Sequence, residues 1–154
     1  MIFVTLGSQK FQFNRLLKAV DELKVDEEIF AQIGYSDYLP QNYEYKKFLD
    51  REEFSLIMDK ADIVITHGGT GAIIGAVKKE KKVIAVPRLV QYGEHVDDHQ
   101  IQIVEQFKEL NLIYACEDMN LKKALDVIQK TEYKKYQSNT RNIIKNIEKF
   151  IGEN

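Results

Sequence analysis

The sequence is poor in the residues that mark several large classes of protein. Its 154 residues include one cysteine and no tryptophan, so no disulfide can form within the chain. Cys116 follows an apolar run without a basic neighbour that would favour a thiolate, and we expect a buried structural thiol. No apolar stretch reaches the roughly 18 residues of a membrane-spanning helix. The first residues also lack the basic start of a signal peptide, which predicts a cytoplasmic protein.

Positive charge is not in excess either. The chain has 22 lysines and arginines against 24 aspartates and glutamates, a formal net charge of -2. Broad binding to nucleic acid requires a strong basic excess, so we expect no nucleic acid partner. The length and a hydrophobic content of 44% suit one core. We predict a single domain over residues 1–154.

Short apolar runs alternate with amphipathic segments along the chain. The runs are rich in β-branched residues and predict strands at 2–6, 29–33, 45–49, 62–66, 83–86 and 112–115. Apolar residues at helical spacing predict helices between these strands, and further helices at 121–130 and 134–151. The alternation predicts an α/β fold with a Rossmann-like open parallel sheet flanked by helices. Ligands of such sheets bind beyond the carboxyl ends of the strands.

Three polar segments follow predicted strands and therefore fall on that one edge: 7–9 (GSQ), 67–71 (HGGTG) and 94–100 (EHVDDHQ). A glycine turn before a helix lets the backbone approach an anion such as a diphosphate, and the helix N–H groups attract it. Thr70 could add a hydroxyl donor, and His67 could donate to a phosphate oxygen. The same residues also suit a tight turn and a buried histidine satisfied by a carbonyl. Their convergence on one edge favours the ligand.

The third segment allows a competing interpretation as a metal site. In a helix, His95 and His99 would lie on one face, with Asp97 and Asp98 between them. However, the segment lies at a loop-to-helix junction without a third ligand, and a helix terminus neutralises a diphosphate without a cation. We therefore expect no metal or other cofactor. Asp98, His99 and Gln100 carry short polar groups that suit sugar hydroxyls, although Asp98 equally suits a helix N-cap.

The same segments occur together in a known family. The matching residues are Met1–Gly7 with Phe13–Leu16, Gln32-x-Gly34-Tyr35-Ser36, Ala61-Asp62-x-Val64-Ile65-Thr66-His67-Gly68-Gly69, Val86-Pro87-Arg88 and Tyr92–Val96-x-Asp98-His99-Gln100. Together they resemble the small UDP-sugar transferase subunits of split GT-B glycosyltransferases. That family includes the cytosolic catalytic subunit of the two-part N-acetylglucosaminyl transferase of dolichol-linked oligosaccharide synthesis, and bacterial counterparts in capsular and exopolysaccharide gene clusters.

The resemblance implies one half of a GT-B fold, which binds the UDP-sugar. It implies that the acceptor half is a separate membrane-associated protein, so that this chain is peripheral to the membrane and acts on a lipid-linked saccharide. Carried over by motif, the donor-site residues are Gly7, Ser8, Phe48, Leu49, His67, Gly68, Gly69, Thr70, Gly71, Asp98, His99 and Gln100. Phe48 and Leu49 would flank uracil, although they equally suit the end of a core strand.

The expected chemistry follows from the leaving group. UDP gathers negative charge as it departs, and donors at His67 and the glycine turn would stabilise that charge. A base must deprotonate the acceptor hydroxyl. We expect this base on the partner, and His95 is the candidate within this sequence.

One departure from the family pattern concerns the ribose. Larger relatives often place a glutamate at the eighth position after the histidine, with polar side chains at the fourth and fifth, but here these positions are Gly75, Gly71 and Ala72. Gly75 has no side chain to bind ribose, which mildly favours a first rival, a non-catalytic subunit that enhances a partner transferase. A second rival is a nucleotide-sugar epimerase or hydrolase, but such enzymes usually need both halves in one chain.

Overall fold

A computed structural model describes residues 1–137, which form a parallel sheet with helices on both faces. The strands are β1 (Ile2–Thr5), β2 (Ile29–Gln32), β3 (Glu44–Lys46), β4 (Ile63–His67), β5 (Lys82–Val86) and β6 (Tyr114–Ala115). The α-helices are α1 (Asn14–Asp21), α2 (Arg51–Lys60), α3 (Thr70–Lys78), α4 (His99–Glu109) and α5 (Leu121–Lys130), and Val90–Tyr92 is a short 3-10 helix. The predicted Rossmann-like α/β fold is confirmed.

The strand order explains where a ligand can bind. The order is β3-β2-β1-β4-β5-β6, with every neighbouring pair parallel. The chain moves outwards from β1 to β3, then returns to the other side of β1 at β4. Such a reversal leaves a crevice beyond the carboxyl ends of the two central strands. The loop after β1 and the loop after β4 flank this crevice.

Alternating side chains of the central strands build a core on each face of the sheet. Val4 and Ile65 point towards α1 and α5, whereas Phe3 and Val64 point towards α2, α3 and α4. All four side chains are fully buried, and each such burial contributes about 1.5–3 kcal/mol relative to exposure. Two packed layers therefore hold the strand ends, and the loops that follow them, in fixed positions.

The edges of the sheet differ most from the sequence-based prediction. The strand predicted at 45–49 is Glu44–Lys46, because Asp50 and Glu53 form a capping box that already starts α2. The strand predicted at 112–115 contains only Tyr114–Ala115, because Asn111, at a φ of 58°, turns the chain after α4. Residues 131–137 are not helical, which corrects the start of the helix predicted at 134–151. The rest of that prediction lies outside the described residues.

Two expectations concern single features of the chain. Cys116 is a free, fully buried thiol, and burial raises its pKa to about 11. This confirms the predicted burial of the thiol. Within residues 1–137, no helix has both the length and the apolar character needed to cross a bilayer.

Candidate functional site

His67 is the last residue of β4 and lies at the centre of the predicted site. Its side chain is 5% exposed. The ring nitrogen Nδ1 lies 3.1 Å from Nε2 of Gln100 and 3.5 Å from Nε of Arg88. Burial, the positive charge of Arg88 and His95 lower the pKa of His67 to about 3. The imidazole is therefore neutral at physiological pH.

Two glycines enclose the other side of the His67 ring. A Cβ atom on Gly7 would lie 2.5 Å from Nε2 of His67, and one on Gly69 would lie 2.3 Å from its Cε1. Gly7 also has a φ of 72°, which side chains disfavour. The backbones after β1 and β4 thus meet across the imidazole, and both positions require glycine.

The glycine turn leads directly into α3. Gly69 is its N-cap residue and offers no side chain to cap the helix, so the first N–H groups of α3 are available to an anion. The hydroxyl of Thr70 is buried without a hydrogen-bond partner among the described residues. Gly71 and Gly75 stand on the open side of the helix, where an added Cβ would meet nothing within 4 Å.

The side chain of Gln100 holds the backbone of this turn by hydrogen bonds. Its Oε1 accepts the backbone N–H of Gly68 and that of Arg88, each at 3.0 Å, and its side chain is 1% exposed. A Cβ on Gly68 would lie 3.0 Å from Cβ of Gln100. The sequence predicts that Gln100 reads the sugar. In the structure its amide is occupied by protein groups, so a direct sugar contact requires rearrangement and stays a prediction.

The segment before α4 forms a compact polar loop. The two carboxylate oxygens of Asp97 lie 3.3 Å from Nδ1 of His95 and 3.4 Å from Nδ1 of His99. His95 precedes the helix, so the two histidines do not share a helical face. Asp98 is the N-cap residue, but its carboxylate accepts the N–H of Val90 instead of capping α4. Half-exposed His99 remains accessible to a ligand.

The described side chains of this region do not form a cluster of metal ligands. Across residues 1–137, no group of three or more histidine, cysteine or acidic side chains could hold a metal ion. His95 instead stacks on Phe11, with ring centroids 5.6 Å apart. Metal-independent binding stays a prediction.

Exposed aromatic rings lie beyond the other side of the crevice. Phe48 is 48% exposed and packs edge-on against Tyr35, with ring centroids 5.0 Å apart. Leu49 is partly buried and packs against the core under α2 and α3. Of the two predicted base-contacting residues, Phe48 thus presents an open apolar surface, whereas Leu49 is mainly a core residue. Ser8 is exposed in the loop after β1.

Sequence reasoning missed three polar residues that organise this edge. Arg88 is fully buried next to His67, and Glu94, 3% exposed, pairs with Arg15 at 2.9 Å. Arg88 follows the strand-ending Val86-Pro87 pair, and its sequence signals are that position at the site edge and its place in a segment that resembles the family. A cavity of about 630 Å³ opens beside this network and is lined by Lys10, Phe11, Gln12, Asn14, Arg15, Lys18, Tyr92, Gly93 and Glu94. It adjoins the crevice without including the glycine turn.

Fold and site together define a Rossmann-like domain with a histidine and a glycine turn at its switch point. The sequence matches the glycosyltransferase family 28 C-terminal domain over residues 1–153, and the chain belongs to this family.

Curated relatives give a more specific similarity. The chain is 36% identical over 62 residues to the UDP-N-acetylglucosamine transferase subunit ALG13 of Saccharomyces cerevisiae, and 30% identical over 126 residues to the human protein of the same name. These matches cover 40% and 75% of this chain, but only 29% and 11% of the two relatives.

Solved structures show the same fold. An NMR solution structure of ALG13 superposes with a TM-score of 0.58 at 21% identity, covering 87% of both chains. The calicheamicin glycosyltransferase CalG4 superposes with a TM-score of 0.61 at 19% identity, covering 96% of this chain and 38% of that one. The chain therefore corresponds to one half of a GT-B fold, as the sequence motifs predict.

Proposed function

We propose that this chain is the donor-binding subunit of a two-component glycosyltransferase. It binds a UDP-sugar and transfers a hexose or N-acetylhexosamine to a lipid-linked saccharide in polysaccharide biosynthesis. The observation that carries this proposal is the position of His67, whose Nε2 edge lies between Gly7 and Gly69 at the start of α3. The family and the names of the ALG13 relatives support the same assignment.

The start of α3 suits the diphosphate of the donor. Its uncapped N–H groups and the positive end of the helix dipole attract a doubly charged group without a metal. The buried hydroxyl of Thr70 lacks a partner among the described residues, which supports Thr70 as a donor to a phosphate oxygen. The uracil would then lie towards Phe48 and Tyr35, whose rings are about half exposed.

Transfer breaks the bond between the sugar C1 and the phosphate oxygen and forms a bond from C1 to the acceptor oxygen. His67 and the N–H groups of residues 69–71 would stabilise the charge that UDP gathers. Removing one such donor typically lowers kcat by about 10²–10³-fold. The acceptor proton must pass to a base, for which a partner residue is our first candidate. His95, stacked on Phe11 and bound to Asp97, is the candidate in this chain.

The ALG13 relatives are named as subunits of a transferase, which supports a partner for this chain. That partner would bind the acceptor and hold the complex at the cytoplasmic face of a membrane. Gly71 and Gly75 leave the helix surface beside the turn uncovered. Ribose would therefore rest on backbone, or meet a side chain from the partner.

The test is calorimetric titration of the purified chain with UDP and a panel of UDP-sugars, with and without EDTA. We expect weak, EDTA-insensitive UDP binding that is lost in His67→Ala and kept in Gln106→Ala, an exposed position on α4. His99→Ala and Asp98→Ala should alter the preference among sugars without abolishing UDP binding.

Two results would contradict the proposal. Equal UDP affinity in His67→Ala and the unmodified chain would remove the assigned phosphate donor. No UDP binding at all, alone or with an acceptor-half partner, would support the non-catalytic subunit instead.

A further inference from the structure

Arg88 is a charged residue in a place where charge is costly. It follows β5 and Pro87, and its side chain is fully buried. Its guanidinium donates to the backbone carbonyl oxygens of Leu6 (2.6 Å), Phe11 (3.2 Å), Gln12 (3.5 Å) and Glu94 (3.3 Å). Burial lowers the pKa of Arg88 to about 10, so it stays charged at neutral pH. A buried full charge beside a crevice is a candidate functional group.

The contacts of Arg88 and Gln100 determine where the His67 proton lies. The side-chain oxygen Oε1 of Gln100 accepts two backbone N–H groups, from Gly68 and Arg88, and these bonds fix the orientation of the side-chain amide. Its NH2 group therefore faces Nδ1 of His67 at 3.1 Å. Arg88 Nε, also a donor, approaches the same nitrogen at 3.5 Å. Since both neighbours donate, Nδ1 must be the acceptor, and the proton resides on Nε2.

The protonated edge of the ring faces the crevice. Cβ atoms built on Gly7 and Gly69 would lie 2.5 Å and 2.8 Å from Nε2. These glycines belong to the two loops that flank the switch point. Nε2–H is thus the atom of His67 presented beside the start of α3.

Nearby charges keep the ring in this state. The titratable groups that act on His67 are Arg88 and His95, and both lower its pKa. The carboxylate of Glu94, a buried acid of the same edge, is engaged by the Nε and Nη2 atoms of Arg15 at 3.0 Å and 2.9 Å. The carboxylate oxygens of Asp97 lie 3.3 Å from Nδ1 of His95 and 3.4 Å from Nδ1 of His99. No described carboxylate contacts His67 to favour a second proton.

We infer that Arg88, together with Gln100, is a positioning residue that holds His67 as the neutral Nε2–H tautomer, aimed between Gly7 and Gly69. The opposite tautomer would turn a lone pair towards a phosphate and repel it. The identity of the phosphate rests on the proposed function, whereas the tautomer is a property of the free protein. The two ideas can therefore fail separately.

The first measurement uses the unmodified protein with ¹⁵N-labelled histidine. Long-range ¹H–¹⁵N spectra of its three histidines, assigned with His67→Gln, report which ring nitrogen carries the proton. We expect His67 to have unprotonated Nδ1 and protonated Nε2 from pH 5 to pH 8, with Nε2 shifting on addition of UDP. An Nδ1–H tautomer, or a doubly protonated ring at pH 7, would overturn the inference.

Arg88→Lys then separates positioning from folding. Lysine keeps the charge but lacks the Nε donor, which leaves Gln100 as the one donor to Nδ1. A fraction of His67 should then carry its proton on Nδ1, and UDP affinity should fall by up to about 10- to 100-fold, the loss of one hydrogen bond to a charged group. Lower affinity with an unchanged His67 tautomer would make Arg88 merely structural and overturn the inference. If the variant does not fold, the spectrum of the unmodified protein still decides. An Nε2–H tautomer that UDP does not perturb would leave the positioning role intact and refute the donor site.

Discussion

The side-chain oxygen of Gln100 accepts the backbone N–H of Gly68 at 3.0 Å, across a separation of 32 residues. The same oxygen accepts the N–H of Arg88 at 3.0 Å, and the amide nitrogen contacts His67. One buried amide from α4 therefore joins the ends of β4 and β5. The Gln100 side chain therefore holds the site together, whereas the sequence alone predicts that it contacts the ligand.

Replacing Gln100 with leucine should destabilise the fold. Leucine has a similar size but leaves the N–H groups of Gly68 and Arg88 buried and unpaired, which costs about 1–3 kcal/mol per group. Gln102→Leu, at an exposed position on the same helix, should change stability by less than about 0.5 kcal/mol. Urea unfolding measures both variants. Equal midpoints would show that Gln100 is free to serve a ligand alone.

Acid should destabilise the protein through His67. Its pKa is lowered to about 3 in the folded state from an ordinary 6.5, so between these values only the unfolded chain binds the proton. The contribution is complete above about pH 6.5 and is lost as pH falls, by about 1.4 kcal/mol per pH unit. His67→Gln should therefore lose about 2 kcal/mol less stability than the unmodified chain between pH 7 and pH 5. Parallel pH profiles in urea unfolding would contradict this.

Replacement by alanine should have opposite effects on stability at two glycines near the turn. Gly69→Ala places Cβ 2.3 Å from the His67 ring, so the ring must move and UDP binding should weaken. Gly75→Ala meets nothing within 4 Å inside α3 and should stabilise the fold by about 0.5–1 kcal/mol. Thermal unfolding and UDP titration of both variants make the comparison. A stabilised Gly69→Ala with intact binding would exclude the close packing described.

Loss of the Arg15–Glu94 ion pair should lower the free energy of unfolding far more than loss of a surface ion pair. Arg15→Met leaves Glu94, which is 3% exposed, without its cation, and breaking a buried pair costs about 3–5 kcal/mol. Lys79→Met removes the ion pair between Lys79, whose side chain is 40% exposed, and Asp59, whose side chain is 62% exposed. Such a surface ion pair contributes about 0–1 kcal/mol to the free energy of unfolding. Urea unfolding should rank the variants in this order. Similar losses would indicate that Glu94 is hydrated in solution.

The sheet could be predicted because its central strands are unambiguous. Residues 63–65 and 83–86 are apolar on both faces, and this pattern has few alternatives to a covered parallel strand. Once the strands are placed, topology alone brings Gly7, His67 and Gln100 to one edge. The outer strands were less predictable, because caps and turns at Asp50 and Asn111 decide where they end.

The contacts between side chains inside the site could not be predicted, because the spacing of residues along the sequence does not show where each side chain points. Nothing in the sequence shows that Arg88 is buried or that Gln100 points towards the turn. Nor does it show that Asp97 binds both His95 and His99. These arrangements depend on contacts between β4, β5 and α4, which are distant in sequence. The roles of individual residues towards the donor stay predictions.

The place of β1 in the sheet has a consequence for how the chain folds. Its residues pair with β2 on one side and with β4 on the other, so Ile2 meets both Ile29 and Ile63. During synthesis this apolar segment emerges before β2 and β4 and keeps an unpaired edge until residues 63–66 follow. Non-local parallel pairing is slow, and exposed apolar edges aggregate. Slow translation between β2 and β4 should therefore lower the yield of folded protein more than the same delay after β5.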